Sequence, residues 1–347
     1  MAAQAQVSVA TVSRVLNDNG YADPETRARV LAAAAELNYQ RNIHWSRLKR
    51  QSSRTILFVL GNRRQFNTMH MRLLEACERT LGGRGYDLIF TRHDYAGTLR
   101  APDLPLPRLL EQAGAVDGVL LAGVHHPNLV QALDKRRLPY ALLGNDLDGT
   151  SLLGARNCIF YDDQSAIGEA VAYLARLGHR RIAFAGNIAL PWFERRHQGY
   201  VQAMARLGLE TVEATGDWQI DNLDYGQLAA AQLLRLPVPP TAILAANDEL
   251  AAGVWKELVK RQVPIPGQMS LVGVGDRAEF AILEPPLTSI SVFIDQLGER
   301  LTSMLLRKIE DPKAQPASEH YPCKLVERAS CGPAPREVIQ LAKRAGN

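Results

Sequence analysis

The strongest constraint on the fold is an alternation of short apolar runs and amphipathic stretches that begins at Thr55. We expect seven of the runs to be buried strands, at 56–60, 87–90, 118–121, 140–143, 181–185, 242–245 and 270–273. Helical spacing between them predicts helices over 69–81, 106–112, 166–177, 195–207, 225–234 and 249–261. Alternation on this scale predicts two doubly wound parallel α/β subdomains, whose ligands bind at the carboxyl ends of the strands, in the cleft between the subdomains.

A shorter helical pattern precedes this body, at residues 7–17. Ser8 is placed to cap the helix by accepting a bond from a backbone N–H of the first turn. One face is apolar, at Val12, Val15 and Leu16. The outward positions are Val9, Ala10, Ser13 and Arg14. An outward arginine can grip guanine O6 and N7 in the DNA major groove, but any small amphipathic helix would show the same pattern.

A second helix is predicted after turn residues 17–22. Asp23, Pro24 and Glu25 provide a cap, a proline at the first helical position and an acid near the positive helix end. The apolar face of this helix is expected to carry Val30, Leu31, Ala34 and Leu37.

The net charge lies at the same end of the chain. Residues 1–54 hold eight Arg or Lys against four acids, and the remaining residues hold 32 of each. The formal charge of +4 therefore belongs to the first 54 residues, as expected if that segment meets phosphates.

These segments resemble the lac-repressor/gal-repressor (LacI/GalR) family of bacterial transcription regulators. The recognition element of that family reads V-S-x-x-T-V-S-R-V-L-N, as at 7–17 here, and P-x-T-R-x-R-V and L-x-Y follow at 24–30 and 37–39. The resemblance implies DNA contacts at Ser8, Val9, Ala10, Thr11, Ser13, Arg14, Asn17, Tyr21, Asn42 and Leu48.

The body resembles the family along nearly its whole length, with L-G-H-x-x-I-A at 177–183, R-x-x-G-Y at 196–200, A-N-D at 246–248 and P-P-L-T at 285–288. The resemblance implies an α/β periplasmic-binding-protein-like body behind a small all-α helix-turn-helix domain. The expected divisions are a DNA-binding domain at 1–40, a hinge at 41–54, the body at 55–335 and a tail at 336–347. Within the body, subdomain N is expected at about 55–147 and 287–317, and subdomain C at about 152–280 and 320–335, with crossings near 145–155, 278–290 and 317–321.

The resemblance also implies a ligand site in the cleft. Arg196 would fork onto effector hydroxyls or a carboxylate, and Asn247 would close the cleft from the opposite strand end. Alternatively, Arg196 is a surface residue and Asn247 only caps the next helix. Trp218 matches an aromatic position on which family ligands stack, although a core tryptophan fits equally well, and Phe66 would form the opposite wall.

Two departures from the family pattern bear on the ligand. In the V-G-x-D-D segment the first acid is replaced by Gly275, which leaves Asp276 alone, and Gly144 and Asn145 stand where an acid often follows a strand. Arg63 and Arg64 add charge to the first loop. Fewer acceptors and more cations favour an anionic effector, such as an acidic or phosphorylated sugar.

The hinge and the chain start depart as well. Family members read Y-x-P-N-x-x-A-R-x-L, and Arg41 replaces the proline here, while Leu48 keeps the position that wedges into the minor groove. Gln6 replaces the glycine of the turn before Val7, which costs about 1 kcal/mol if the backbone is left-handed there. The first helix is expected to be short, through a truncation or a start codon placed too late.

The remaining features exclude other classes. The four cysteines have no disulfide or metal-ligand spacing, and His125 and His126 lack a third ligand at a sensible spacing, so we expect no metal and no cofactor. No run of about 18 apolar residues and no signal-peptide core occur, which favours a cytoplasmic protein. Gly61-Asn-Arg-Arg-Gln-Phe66 is not a dinucleotide-binding glycine motif, and no nucleophile–base pair suggests an enzyme.

The residues and the resemblance together predict a DNA-binding transcription regulator, a repressor of operator DNA under the control of a small, sugar-like effector, with no membrane partner. The resemblance and the palindromic half-sites of such regulators imply a homodimer. The alternatives are a small-molecule-binding protein of the periplasmic type without regulatory activity, and a regulator that has lost effector control.

Overall fold

The computed structural model describes residues 1–16, 21–37, 52–63, 67–144, 156–216, 218 and 220–336. Four predicted site residues lie outside these ranges, namely Asn17, Asn42, Leu48 and Phe66, as do positions 41–51 of the predicted hinge and 337–347 of the predicted tail. The chain forms two compact units, residues 1–53 and 54–347.

The first unit contains helices α1 (Val9–Leu16) and α2 (Pro24–Glu36). Both caps form as predicted, because Ser8 Oγ accepts the Thr11 N–H at 3.0 Å and Asp23 Oδ1 accepts the Thr26 N–H at 2.8 Å. Its small core consists of Ala5, Val12, Val15, Val30 and Ala33.

The expected apolar face of α2 is wrong in part. Val30 is buried, but Leu31 and Leu37 are exposed, and Ala33 is buried in their place. Since α1 is only eight residues long, it covers a narrow i, i+3 stripe of α2 rather than a wide face.

The first sheet of the second unit has the strand order β11-β5-β4-β3-β1-β2, with all neighbours parallel. Its strands are β1 (Thr55–Gly61), β2 (Asp87–His93), β3 (Gly118–Gly123), β4 (Tyr140–Leu143), β5 (Cys158–Asp162) and β11 (Ser318–Pro322). The helices packed with it are α3 (Thr68–Gly82), α4 (Arg108–Glu111), α5 (Pro127–Lys135) and α11 (Ile294–Glu310), with a 3₁₀ turn at Ala101–Asp103. The central strands β1, β3 and β4 are buried throughout, as their uninterrupted apolar runs predict. The predicted burial of the strand at 87–90 is wrong, because β2 lies at the edge of the sheet, where Ile89 and Phe90 are exposed.

The second sheet has the order β12-β10-β9-β8-β6-β7. Its strands are β6 (Ile182–Ala185), β7 (Val212–Ala214), β8 (Ala242–Ala245), β9 (Ser270–Val274), β10 (Thr288–Ser291) and β12 (Lys324–Val326), of which β12 runs antiparallel to β10. The helices are α6 (Asp163–Arg176), α7 (Pro191–Arg206), α8 (Asn222–Leu233), α9 (Asp248–Lys260) and α10 (Ala278–Ala281). Two doubly wound subdomains are therefore present, as predicted.

The chain crosses between the subdomains a few residues later than predicted. The prediction places Cys158–Asp162 in the second subdomain and 287–291 in the first, whereas β5 pairs with β4 and β10 pairs with β9. The crossings fall after β5, between β10 and α11, and at Cys323 between β11 and β12. A short strand carries no local signal of which sheet it joins, because its pairing partner decides this.

Glycines bring two helices of the second subdomain together. A Cβ on Gly226 of α8 would overlap the carbonyl oxygen of Leu250, and a Cβ on Gly253 of α9 would overlap that of Leu223. The close approach of α8 and α9 therefore depends on the absence of these two side chains.

Candidate DNA-binding surface and ligand cleft

The predicted DNA-contact residues of α1 lie together on the surface of the first unit. Val9 is 75% exposed and Tyr21 is 86% exposed, and Ala10, Ser13 and Arg14 are exposed as well. Ser8, Thr11, Arg14 and Tyr21 line one open depression of about 360 Å³ between the starts of α1 and α2. This face presents a guanidinium, hydroxyls and apolar groups to the outside, which suits the edges and methyl groups of bases.

Ser8 contributes mainly through its cap. Its Oγ accepts the Thr11 N–H and lies 2.9 Å from Thr11 Oγ1, so the hydroxyl is held against the helix start. Gln6 has a φ of 51°, the left-handed value expected at the turn where the family has glycine.

In the second unit, Arg196 is buried in a charge cluster rather than on the surface. Its Nε donates to Asp163 Oδ2 at 2.7 Å, and its Nη1 donates to the Ala246 carbonyl at 2.6 Å. Arg195 also binds Asp163, through Nε to Oδ1 at 2.7 Å and Nη2 to Oδ2 at 3.0 Å. Burial alone would raise the pKa of Asp163, but the two guanidiniums outweigh it and hold that pKa below its usual value.

One carboxylate thus serves two arginines. Asp163 is fully buried at the start of α6, while both arginines lie on α7. Both guanidiniums therefore meet the same carboxylate, near the point where α7 approaches the carboxyl end of β8. Sequence reasoning missed Asp163 and Arg195, whose only signal was an acid directly after a buried strand and a pair of adjacent arginines.

Asn247 caps the following helix, which is the alternative that its position in the sequence suggested. Its Oδ1 accepts the Leu250 N–H at 2.7 Å and caps α9. The residue follows β8 at the carboxyl edge of the second sheet and is half-buried. Capping uses the amide oxygen, so the amide nitrogen is the group that a ligand could meet.

Trp218 packs on its own subdomain. Its ring lies 4.5 Å from the ring of Tyr225 at 51°, and it covers the backbone at Gly216. Tyr225 in turn donates from its hydroxyl to the Gly216 carbonyl at 2.6 Å. This packing agrees with the alternative that Trp218 is a core tryptophan. A contact between Trp218 and a ligand stays a prediction.

The carboxylate of Asp276 is engaged within the protein. Its Oδ1 accepts Arg328 Nη2 at 2.6 Å, and its N–H donates to Ser289 Oγ at 3.0 Å. Nearby, Asp248 is fully buried and accepts the Ser289 hydroxyl at 2.6 Å and the Arg277 N–H at 2.8 Å. Burial, reinforced by the neighbouring charge of Asp276, raises the pKa of Asp248 although both hydrogen bonds oppose the shift.

Arg63 and Arg277 each contact the opposite subdomain directly. The guanidinium carbon of Arg63, after β1, lies 3.8 Å from the ring centroid of Trp192 at the start of α7. Arg277, after β9, donates from Nη2 to Thr68 Oγ1 at the start of α3, at 2.8 Å. Sequence reasoning noted Arg63 but missed Trp192 and Arg277.

A histidine and tyrosine cluster closes the carboxyl edge of the first sheet. The hydroxyl of Tyr95 lies 3.1 Å from His125 Nδ1 and accepts the His126 N–H at 3.1 Å, and His125 Nε2 lies 2.8 Å from the Ala122 carbonyl. Burial lowers the pKa of His125 to about 4, so the ring is neutral. Over the described ranges, no three His, Cys, Asp or Glu side chains are arranged to hold a metal ion.

Comparison with known proteins agrees with this architecture. A family model described as bacterial regulatory proteins, lacI family, matches residues 1–42, and a periplasmic binding protein-like domain matches residues 171–331. The chain is 30% identical to the ribose operon repressor of Escherichia coli (strain K12), over 94% of this chain and 97% of that protein. It is 29% identical to the HTH-type transcriptional repressor CytR of the same strain, over 95% and 94%.

Among solved structures, the lac repressor dimer bound to operator and the anti-inducer ONPF has a similar fold, with a TM-score of 0.79 and 24% identity over 95% of this chain and 97% of that one. The chain therefore belongs to the lacI family of bacterial regulatory proteins, as its motifs predict. The expectation of a transcription regulator rather than an enzyme is confirmed, since these relatives are repressors. Among the described residues, no helix has the length and apolarity needed to cross a bilayer.

Proposed function

We propose that this chain is a repressor that binds a two-fold symmetric operator as a homodimer and responds to a small, sugar-like, anionic effector in the cleft. The observation that carries the DNA-binding part is the exposed face of α1, where Arg14 shares a depression with Ser8, Thr11 and Tyr21. In a helix-turn-helix protein the recognition helix enters the major groove, and α1 carries the recognition motif of the family. A dimer places two such helices on half-sites about one helical turn apart.

The charges of the cleft support an anionic effector. Arg195 and Arg196 share the single carboxylate of Asp163, and Asp276 is paired with Arg328. Gly275 stands where family members carry an additional acid. A neutral sugar would find the carboxylates of Asp163 and Asp276 already bound to arginines, while a carboxylate or phosphate could accept charge-assisted hydrogen bonds from guanidinium groups.

The DNA-binding part is tested by selecting bound sequences from random duplex DNA with the full chain, in parallel with its Arg14→Lys variant. The wild-type chain should enrich a palindrome. Lysine keeps the charge but lacks the planar fork, so the variant should still bind DNA and lose roughly 5- to 150-fold of discrimination at one base pair per half-site. A wild-type chain that enriches no symmetric sequence contradicts the proposal, as does a variant that selects the same sequence equally well.

The effector part is tested on the enriched duplex by fluorescence anisotropy. Matched pairs of ligands, D-ribose with D-ribose 5-phosphate and D-glucose with D-glucuronate, separate charge from shape. We expect the charged member of a pair to change DNA affinity more than the neutral member. A response to neutral sugars together with none to charged ones contradicts an anionic effector.

A further inference from the structure

The contact between Arg63 and Trp192 spans the effector cleft. Arg63 belongs to the first subdomain and Trp192 to the second, and the guanidinium lies over the indole face at 3.8 Å. This distance is well inside the limit of about 6 Å for a cation–π interaction, and tryptophan is the best partner for one. Both residues are half-buried.

The position of the pair connects it to the charge cluster. Trp192 lies one helical turn before Arg196 on α7, so the two side chains share a face of that helix. The loop that carries Arg63 is held by Arg92, whose Nη2 donates to the Arg63 carbonyl at 2.7 Å. The contact therefore lies beside the buried arginines and not at a remote edge of the cleft.

The face of Trp192 can serve one occupant at a time. A guanidinium stacked at 3.8 Å leaves no room for a second flat group on the same side of the ring. A sugar ring offers a flat, apolar C–H face to an aromatic ring, and a carboxylate or phosphate on it offers Arg63 a charge-assisted hydrogen bond. An effector with a flat C–H face and an anionic group would stack on Trp192 through the first and bind Arg63 through the second.

We propose that Arg63 and Trp192 select the effector and form a latch between the two subdomains. The effector displaces this latch, so that effector binding is coupled to opening of the contact across the cleft. The effector class is an anion with a flat apolar face, and the inference rests on the proposed effector control of this cleft. Neutral ligands compete poorly, because they take the ring face without giving Arg63 a counter-charge. The Arg277–Thr68 bond, which also joins the two subdomains, involves neither residue of this latch.

The latch makes a prediction that requires no effector. The variant Arg63→Gln removes the cation, so the cleft should loosen and Trp192 should become more accessible. The stack is worth roughly 2- to 30-fold in the closure equilibrium, and the variant should shift DNA affinity by a similar factor in the direction that the effector causes. Arg63→Lys keeps the charge without the planar stack, so its Trp192 accessibility and its DNA affinity should fall between those of the wild-type chain and those of Arg63→Gln.

Acrylamide quenching of Trp192 fluorescence, taken as the difference between a chain and its Trp192→Phe counterpart, measures the accessibility of this ring. We expect at least a two-fold rise in the quenching constant in Arg63→Gln, and none in Arg108→Gln, a control at an exposed arginine of the same subdomain. Circular dichroism confirms that each variant is folded. Unchanged quenching in folded Arg63→Gln overturns the latch.

Anisotropy on the enriched duplex then tests the coupling. Raised quenching with altered DNA affinity supports the proposal, and raised quenching with unaltered affinity overturns the regulatory role. If the wild-type chain enriches no duplex, the proposed function fails, and quenching alone still decides whether the latch exists.

Discussion

Replacing Asp163 with asparagine removes the carboxylate that two arginines share between α6 and α7. The wild-type side chain is fully buried and accepts three bonds, from Arg195 Nε at 2.7 Å, Arg195 Nη2 at 3.0 Å and Arg196 Nε at 2.7 Å. Asparagine has nearly the same shape but no charge, and one of its two terminal groups is a donor that faces a guanidinium. The two guanidiniums then lose the carboxylate that joins them.

The magnitude follows from burial. Charge-assisted hydrogen bonds contribute about 1.5–3 kcal/mol each, but asparagine keeps one acceptor, so the three bonds are not lost in full. Breaking a buried ion pair by removing one partner costs about 3–5 kcal/mol, and we expect Asp163→Asn to fall in this range. With a slope on the order of 3 kcal/mol per molar urea, the unfolding midpoint drops by about 1 M or more.

The adjacent residue provides the control. Asp162 caps α6 by accepting the Ser165 N–H at 3.0 Å, and asparagine caps a helix about as well as aspartate. Urea unfolding followed by far-ultraviolet circular dichroism should show that Asp163→Asn loses about 3–5 kcal/mol of unfolding free energy. Asp162→Asn should lose less than about 0.5 kcal/mol. Equal midpoints for the two variants would refute the reasoning, because the shared carboxylate would then contribute no more than an exposed cap.

Three further predictions concern stability. Gln6→Gly should stabilise the first unit by about 1 kcal/mol in thermal unfolding, since Gln6 has a φ of 51°, and an unchanged or lower melting temperature contradicts this. His125 has a pKa of about 4 when folded against an ordinary value of 6.5, so its contribution is complete above pH 6.5 and is lost as the pH falls towards 4. The free energy of unfolding of the wild-type chain should therefore fall by about 3 kcal/mol more between pH 6.5 and pH 4 than that of His125→Gln. Parallel curves of unfolding free energy against pH for the two proteins would exclude this role of His125. Gly226→Ala should destabilise the body by about 1–3 kcal/mol through overlap with the backbone of α9, whereas Gly168→Ala, whose Cβ meets only ordinary contacts, should not, and equal urea midpoints would count against the close helix approach.

Local patterns predicted the features that depend on local chemistry. The caps at Ser8 and Asp23 depend on residues within a few positions of each other, and both were readable from the chain. The buried strands β1, β3 and β4 were readable as uninterrupted apolar runs. The similar run at 88–90 is exposed or half-buried, because β2 lies at the edge of its sheet and no local pattern shows that position.

The features that were not predicted depend on contacts between distant residues. Strand β5 and strand β10 are assigned to a subdomain only by their pairing partners, β4 and β9. The pairing of Asp276 with Arg328 and the stacking of Arg63 on Trp192 each join residues far apart in the chain. No periodicity or short motif carries that information, so the engaged state of Asp276 and the latch required the folded structure.

The measurement that tests the central claim most directly is the affinity of the full chain for its enriched duplex, compared with a shuffled duplex of equal composition, at one fixed salt concentration near 0.15 M. Specific regulators bind their sites roughly 10³-fold or more tightly than other DNA. We expect the wild-type chain to bind the enriched duplex more tightly than the shuffled one by a ratio of at least this order, and we expect a clearly smaller ratio for Arg14→Lys. A ratio below about ten, with a fully folded protein, would mean that the face of α1 reads phosphates and not sequence, and would contradict the account.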